Sequence, residues 1–276
     1  MKTLMLSYIA KDSPLHRLTG ATKLLCFLGW IVATVLTYDT RFLFGMFVLS
    51  LILFKLSKIQ FRDIAIIVYL ILLFLLMNNI AIFLFSPLEG VKIYGSRHDV
   101  AHLWWRYDLT LEQMFYQLNI TLKYFTVIPV ALLFVLTTNP SEFASSLNKI
   151  GISYRIAYSV SIALRYIPDV QRDFQNIAFA QQARGIDLSK NEKLLKRIKN
   201  ASAILFPLIL SSLDRIDTIS SAMELRRFGS KNKRTWYNER PFQKRDFAFL
   251  FGSIVLIVIS VLTTIVNDGR YYNPFG

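Results

Sequence analysis

IAIIVYLILLFLLMNNIAIFLF, Ile64 to Phe85, contains no charged side chain. It is long enough to cross the roughly 30 Å hydrocarbon layer of a bilayer as one helix. Its only amides, Asn78 and Asn79, are costly in lipid unless paired, so they are expected to pack against another helix. Four more apolar blocks flank it: Ala21–Thr37 and Phe42–Phe54 before, Phe115–Leu136 and Phe247–Val266 after. The last two also reach the roughly 20 residues a span needs. Phe42–Phe54 is short, and Lys55 and Lys58 can extend it by reaching toward headgroups. Only Tyr38–Arg41 separates the first two blocks, which predicts a tight hairpin or a pair of tilted, partly immersed helices. Mean hydropathy is +0.41, well to the apolar side of a soluble domain of this size. The expected fold is all-α: a polytopic helical membrane protein with about five spans and a helical cytoplasmic domain.

Charge between the blocks sets the orientation. The N-terminal arm carries Lys2, Lys11, Arg17 and Lys23, and the connection after the second block carries Lys55, Lys58 and Arg62. From Asn139 to Asp246 there are 19 basic against 10 acidic residues. The alternate connections hold Arg41 in one, and Lys92, Arg97 and Arg106 against Glu89, Asp99, Asp108 and Glu112 in the other. The positive-inside rule therefore places the N-terminus and the basic segment in the cytoplasm and the C-terminus outside a cell membrane, as five spans require. Three regions are expected: membrane helices at 1–138, cytoplasmic helices at 139–246, and a last membrane helix with its tail at 247–276. The net charge of +14 is read as orientation and attraction to anionic lipid, not as nucleic-acid binding. Residues 1–20 lack the pattern of a cleaved leader. The single Cys26, inside an apolar block, reads as inert packing.

The basic segment reads as helices. Asn139-Pro140-Ser141-Glu142 offers an N-cap, a proline at the first helical position and a carboxylate at the third, with Gly151 to end the helix. A longer helix runs through Ile167, Val170, Phe174, Ile177, Gln181 and Arg184 and stops at Gly185; Pro168 either starts or kinks it. A second of the same design runs through Ile209, Ser212, Ile216, Ile219, Met223 and Arg226, with Gly229 beyond its end. Between them Lys190, Lys193, Lys196, Arg197 and Lys199 accompany Leu194, Leu195 and Ile198 in a short basic amphipathic stretch. A cation at a helix C-terminus complements the macrodipole, which suffices to explain one arginine. Two, on matching faces and 42 residues apart, resemble prongs offered to a partner, since a guanidinium grips carboxylates and carbonyls with a rigid fork.

At these residues the chain resembles the transmembrane coupling (T) component of energy-coupling factor transporters, the EcfT/CbiQ family. Ala180-Gln-Gln-Ala-Arg-Gly185 is similar to that family's first Ala-Arg-Gly signature. Thr137-Thr-Asn-Pro140 and Ala163-Leu-Arg-Tyr-Ile-Pro168 are similar to the stretch leading into it. Ala222-Met-Glu-Leu-Arg-Arg-Phe228 is similar to the second signature, with Leu225-Arg226-Arg227 where Ala-Arg-Gly is usual. That departure keeps the arginine and leaves the backbone geometry after it open.

The resemblance implies a non-catalytic subunit of an ATP-driven importer. It implies two cytoplasmic ABC-type ATPase subunits as partners, which bind ATP and Mg, while this chain binds no cofactor. It also implies a separate substrate-binding membrane (S) component, for a vitamin or a transition-metal ion. Arg184 and Arg226 carry over as the ATPase-contacting residues, with Ala183 and Gly185 as close-packing neighbours.

Other motifs are weaker. Gly90-Val-Lys-Ile-Tyr-Gly95 has P-loop glycine spacing without the Lys-Ser/Thr pair. His98 and His102 with Asp99 are read as a loop pair without a third strong metal ligand; a membrane metalloenzyme would use them. Trp104 and Trp105 read as interfacial anchors, and Lys123 is expected to snorkel. A self-sufficient secondary transporter is the alternative function, but its intramembrane ionisable residues and paired inverted repeat are missing from the reading. Arg227 is expected on the helix about 100° around from Arg226.

Overall fold

The computed structural model describes residues 11–104, 107–186, 194–230, 235–236 and 240–275; at 61, 63, 101–104, 107, 194–197 and 199 it describes the backbone only. The chain divides into two compact units, residues 1–142 with 240–276, and residues 143–239.

The first unit contains the apolar helices α1 (Gly20–Leu36), α2 (Thr40–Leu56), α3 (Phe61–Phe85), α5 (Leu111–Thr137) and α9 (Lys244–Val266), with a short α4 (Glu89–Tyr94). They fall where the five apolar blocks predict. Three of them, at Ile64–Phe85, Leu111–Thr137 and Lys244–Val266, are long and apolar enough to cross a membrane. At 17 residues each, α1 and α2 are shorter, about 25 Å at the α-helical rise. The chain is thus an all-α membrane protein.

Of the two arrangements expected for the first two helices, the tight hairpin is not the one formed, although they meet where Met46 joins Trp30 and Ala33. Instead α1 lies against α9 and α5, and α2 lies against α5. Small residues permit the α1–α9 approach: a Cβ added to Gly29 would collide with Ser253 Oγ, and Ser260 Oγ donates to Ala33 O at 2.7 Å. Trp30 Nε1 donates to Thr126 O at 3.1 Å, tying α1 to α5. Around these bonds Trp30, Ala33 and Met46 form a buried apolar cluster with Leu256 and Ile257. A second cluster, Ile59, Ile64, Leu132, Leu133 and Leu136, seats the α2–α3 connection on the end of α5.

At the opposite end of this bundle the connections interlock. Asp39 is N-cap of α2 and also accepts from Arg41 and, at 2.8 Å, from Asn267. Burial raises its pKa, but those hydrogen bonds outweigh it and hold the carboxyl below its ordinary value. Tyr38 N donates to Arg270 O at 2.6 Å, and the Tyr38 and Tyr271 rings stack. Lys123 is corrected here: its ammonium lies over the Tyr38 ring at 3.1 Å from the centroid, a cation–π contact, so the side chain stays with the protein. A two-stranded hairpin, β1 (Asp99–Trp104) with β2 (Tyr107–Thr110), is a small departure from all-helical structure.

The second unit contains most of α6 (Pro140–Lys149), with α7 (Tyr154–Ala183) and α8 (Leu194–Leu225). Asn139 caps α6 as expected, its Oδ1 accepting from Ser141 N at 3.0 Å, and Gly151 ends it at φ +104°. Pro168 does not start a helix: α7 begins at Tyr154 and carries Pro168 inside, as α8 carries Pro207. The expected basic stretch is not a separate element, because Leu194–Lys199 is the first part of α8; residues 187–193 lie outside the described residues.

The α1–α9 contact allows a direct test. Gly29→Leu should destabilise the detergent-solubilised protein by roughly 1–3 kcal/mol through overpacking. Gly45→Leu, on an open face of α2 with nothing within 4 Å, should leave the unfolding midpoint unchanged. Equal midpoints for the two variants would refute the close approach.

Candidate functional site

The ends of α7 and α8 share one backbone design. Arg184 is the C-cap residue of α7, its N–H donating to Ala180 O at 3.3 Å and Gln181 O at 3.1 Å. Gly185 follows at φ +85°, and Ile186 N reaches back to Gln181 O at 3.0 Å, six residues closing on the first. At the end of α8, Arg226 N donates to Ala222 O at 3.3 Å and Phe228 N to Met223 O at 2.9 Å. Each of these bonds is the α7 bond moved 42 residues on. The residue in the left-handed position is Arg227, at φ +53°. It stands where α7 has Gly185.

The departure from Ala-Arg-Gly therefore changes the side chain and keeps the turn. An L-residue with a Cβ in that region costs on the order of 1 kcal/mol. Arg227 has also left the helix, so the expectation of a residue 100° around the helix from Arg226 is corrected. Ala183, Arg184, Gly185, Arg226 and Arg227 are all exposed. No side-chain hydrogen bond to Arg184 occurs among the described residues.

The two arginines are held apart by the way α7 meets α8. Asp173 pairs with Arg215 at 2.6 Å, Gln181 Nε2 donates to Ala203 O at 3.2 Å, and Tyr158 packs on Phe228 at 4.7 Å between ring centroids. Rising numbers on α7 meet falling numbers on α8, so the helices are antiparallel. Arg226 consequently lies level with the Tyr158–Ile162 region of α7, about 35 Å along the axis from Arg184 at the α-helical rise. The structure presents two guanidinium-bearing turns at opposite ends of one helix pair.

The two ends differ in surroundings. Beside Arg226 is an open cleft of about 400 Å³ lined by Tyr158, Arg165, Tyr166, Asp169 and Met223. The turn after Arg226 is braced by Arg155, whose Nη2 donates to Gly229 O at 3.0 Å, and by rings of Tyr154, Tyr158 and Trp236. Arg155 and Trp236 escaped the sequence reading, for neither sits in a periodic pattern.

The other candidates resolve into structural roles. His98 Nδ1 lies 2.6 Å from Glu112 Oε1, and its N–H donates to the other carboxylate oxygen at 3.1 Å, so His98 closes on a buried carboxylate at the start of α5. No group of three metal-ligating side chains occurs among the described residues; the side chains of His102 and Trp104, and all of Trp105, lie outside them. The glycine-spaced loop is α4, and Gly90 is required there because a Cβ would strike the backbone of Glu112. Asn79 Nδ2 donates to Thr121 Oγ1 at 3.0 Å, and Gln117 Nε2 to Asn79 O at 3.2 Å, so this amide binds α3 to α5.

Comparison with known proteins matches residues 11–236 to the family described as cobalt transport protein, CbiQ. The chain belongs to the EcfT/CbiQ family. Its relatives in that family include energy-coupling factor transporter transmembrane protein EcfT of Lactococcus lactis subsp. cremoris, 29% identical over 96% of this chain and 98% of the relative. The EcfT of Clostridium kluyveri is 30% identical over 94% of this chain and 95% of its own length. That of Acidaminococcus fermentans is 29% identical over 95% and 96%. The EcfT/CbiQ match extends through both helix-end turns.

The strained second turn sets a prediction. Arg227→Gly should stabilise the protein by about 1 kcal/mol, and Gly185→Ala should destabilise it by a similar amount. Thermal unfolding of each variant is the measurement. A destabilised Arg227→Gly would mean that the arginine side chain, not the backbone, holds this turn.

Proposed function

We propose that this chain is the transmembrane coupling subunit of an energy-coupling factor importer, passing the motion of ATPase subunits on separate chains to a separate substrate-binding S component. The observation that carries the proposal is the repeated turn: two exposed arginines, each just past the last residue of a long helix, at opposite ends of an antiparallel pair. A single prong is explained by the helix dipole. Two prongs some 35 Å apart suit two partners, or two copies of one, gripped at once. In this reading Arg184 and Arg226 dock in grooves on the two ATPases, with Ala183 and Gly185 allowing close approach of the backbone. ATP and Mg are held by the ATPases, and the transported vitamin or transition-metal ion by the S component.

Each arginine would form charge-assisted hydrogen bonds worth roughly 1.5–3 kcal/mol in its groove. Losing either should cripple transport, because closure needs both ATPases to pull together. The reading is tested by reconstituting the complex with Arg184→Ala, Arg184→Glu and Arg226→Ala, then measuring ATPase retention and ATP-dependent uptake. Arg184→Glu should be worse than Arg184→Ala, since repulsion is added to the lost bond. Parent-like assembly and uptake by both alanine variants would end the coupling assignment.

The orientation follows the same reading: N-terminus and second unit in the cytoplasm of a cell membrane, C-terminus outside. In a Cys26→Ser background, a cysteine at Lys193 should be labelled only from the cytoplasmic side and one at Asn273 only from outside. The reverse labelling would contradict the proposed topology.

A further inference from the structure

Two chain crossings join the units, and the residues flanking them in the first unit are cross-linked by charge. Glu142 is the last residue before one crossing, and Arg240 the first after the other. Arg240 Nε lies 3.3 Å from Glu142 Oε1. The second carboxylate oxygen of Glu142 faces Lys23 Nζ at 3.9 Å. Lys23, counted with the N-terminal arm from sequence, belongs to α1, is only 7% exposed, and donates to Thr137 O at the end of α5 at 2.8 Å. Six residues beyond Arg240, Asp246 of α9 accepts from Thr19 N at 2.9 Å, Thr19 Oγ1 at 3.1 Å and Gln243 N at 2.7 Å. Asp246 is 1% exposed and Thr19 4%.

The start of α1, the end of α5, the start of α6 and the start of α9 are thus tied into one polar knot. Neither the α2–α3 connection nor α3 contributes a residue to these bonds. Burying a lysine and a carboxylate is expensive even when they are paired, and apolar residues of the same size commonly give more stability. A knot of charge at this point is better explained by direction than by stability. A pull on either crossing reaches Glu142 or Arg240 first, and the next groups in line are Lys23 on α1 and Thr137 on α5. The α1–α9 contact through Gly29, Ala33, Ser253 and Ser260 then makes those two helices move together.

We propose that Lys23, Glu142 and Arg240 are positioning residues that deliver force on the arginine-bearing unit to α1, α5 and α9 as one lever. This rests on the coupling function proposed above. It asks a different thing of the molecule: the arginines hold the ATPases, and the knot decides whether their motion arrives in the membrane helices.

The test uses the assembled complex with its co-purified ATPase subunits, in a Cys26→Ser background with bimane attached at Val266→Cys, the exposed far end of α9. ATP hydrolysis, subunit retention and the ATP-dependent change in bimane fluorescence are measured for the parent, Glu142→Gln, Arg240→Gln and the double variant. Both single variants should retain the ATPases and hydrolyse ATP at rates within about twofold of the parent, while the fluorescence change falls about fivefold or more, the lower end of ordinary coupling between linked sites. The double variant should be no worse than Glu142→Gln, because the two groups act as a pair. Asp12→Asn, which removes the exposed Asp12–Arg17 pair, should leave the signal unchanged. A parent-sized fluorescence change in Arg240→Gln, the milder variant because its side chain is 56% exposed, overturns the proposal. So does a parallel loss of hydrolysis and signal, which would mark a merely structural role. Arg184→Ala measured alongside separates the two ideas: ATPase loss there with normal signal in Glu142→Gln rejects the knot and leaves the coupling reading standing.

Discussion

Hydrocarbon offers no hydrogen bond, and that constraint shapes the first unit throughout. Backbone groups are satisfied inside helices, so a polar side chain at membrane depth gains from a partner, on a neighbouring helix or on its own. Trp30 finds the carbonyl of Thr126, Ser260 that of Ala33, and Thr126 Oγ1 the carbonyls of Leu122 and Leu43. Asn79 and Thr121 find each other. These bonds choose which helices meet, because apolar surface alone is as content against lipid as against another helix. The α1–α9 and α2–α5 partnerships follow from where the small and polar residues lie, not from order along the chain.

The ends of α7 and α8 are closed in another way. At the ends of α7 and α8 the chain is exposed, and the free carbonyls of each last turn are closed by a six-to-one hydrogen bond through a left-handed residue. The arginine before that residue is held in place by the turn, and its side chain is exposed. A docking group gains from such rigidity, since less freedom is lost when it binds. Arg227 shows the turn to be worth keeping even at the cost of a Cβ in left-handed backbone.

The knot at Lys23 joins these two regimes. Its buried charges would be a poor choice for stability, and its exposed member, Arg240, is screened by water. In the proposed reading its value lies in connectivity, for it adds charged links among four chain segments, beside the apolar stack of Phe27 on Phe134. Asp246 and Thr19 do the same for the start of α9, where a carboxylate also suits the helix N-terminus.

Much of the protein was legible in the amino-acid order. Apolar runs located the five apolar helices to within a few residues, because transfer from water to lipid depends on composition along the chain. Asn139, Gly151 and Gly185 marked helix ends, because capping is decided by the residue at the end itself, and the 42-residue echo exposed Arg184 and Arg226 as a pair. Tertiary structure alone decided the rest. Periodicity is silent on which helix lies beside which, so the packing of α1 on α9 and the antiparallel meeting of α7 with α8 could not be read. Pro168 was expected either to start or to kink a helix, because proline disfavours a helix interior; α7 continues through it, so it is not a start. Lys23 counted only as a charge of the N-terminal arm and Lys123 as a snorkelling one, until Thr137 and Glu142 in one case and the Tyr38 ring in the other supplied partners from distant sequence. A single chain position reveals what a side chain needs; only the folded arrangement determines what it meets.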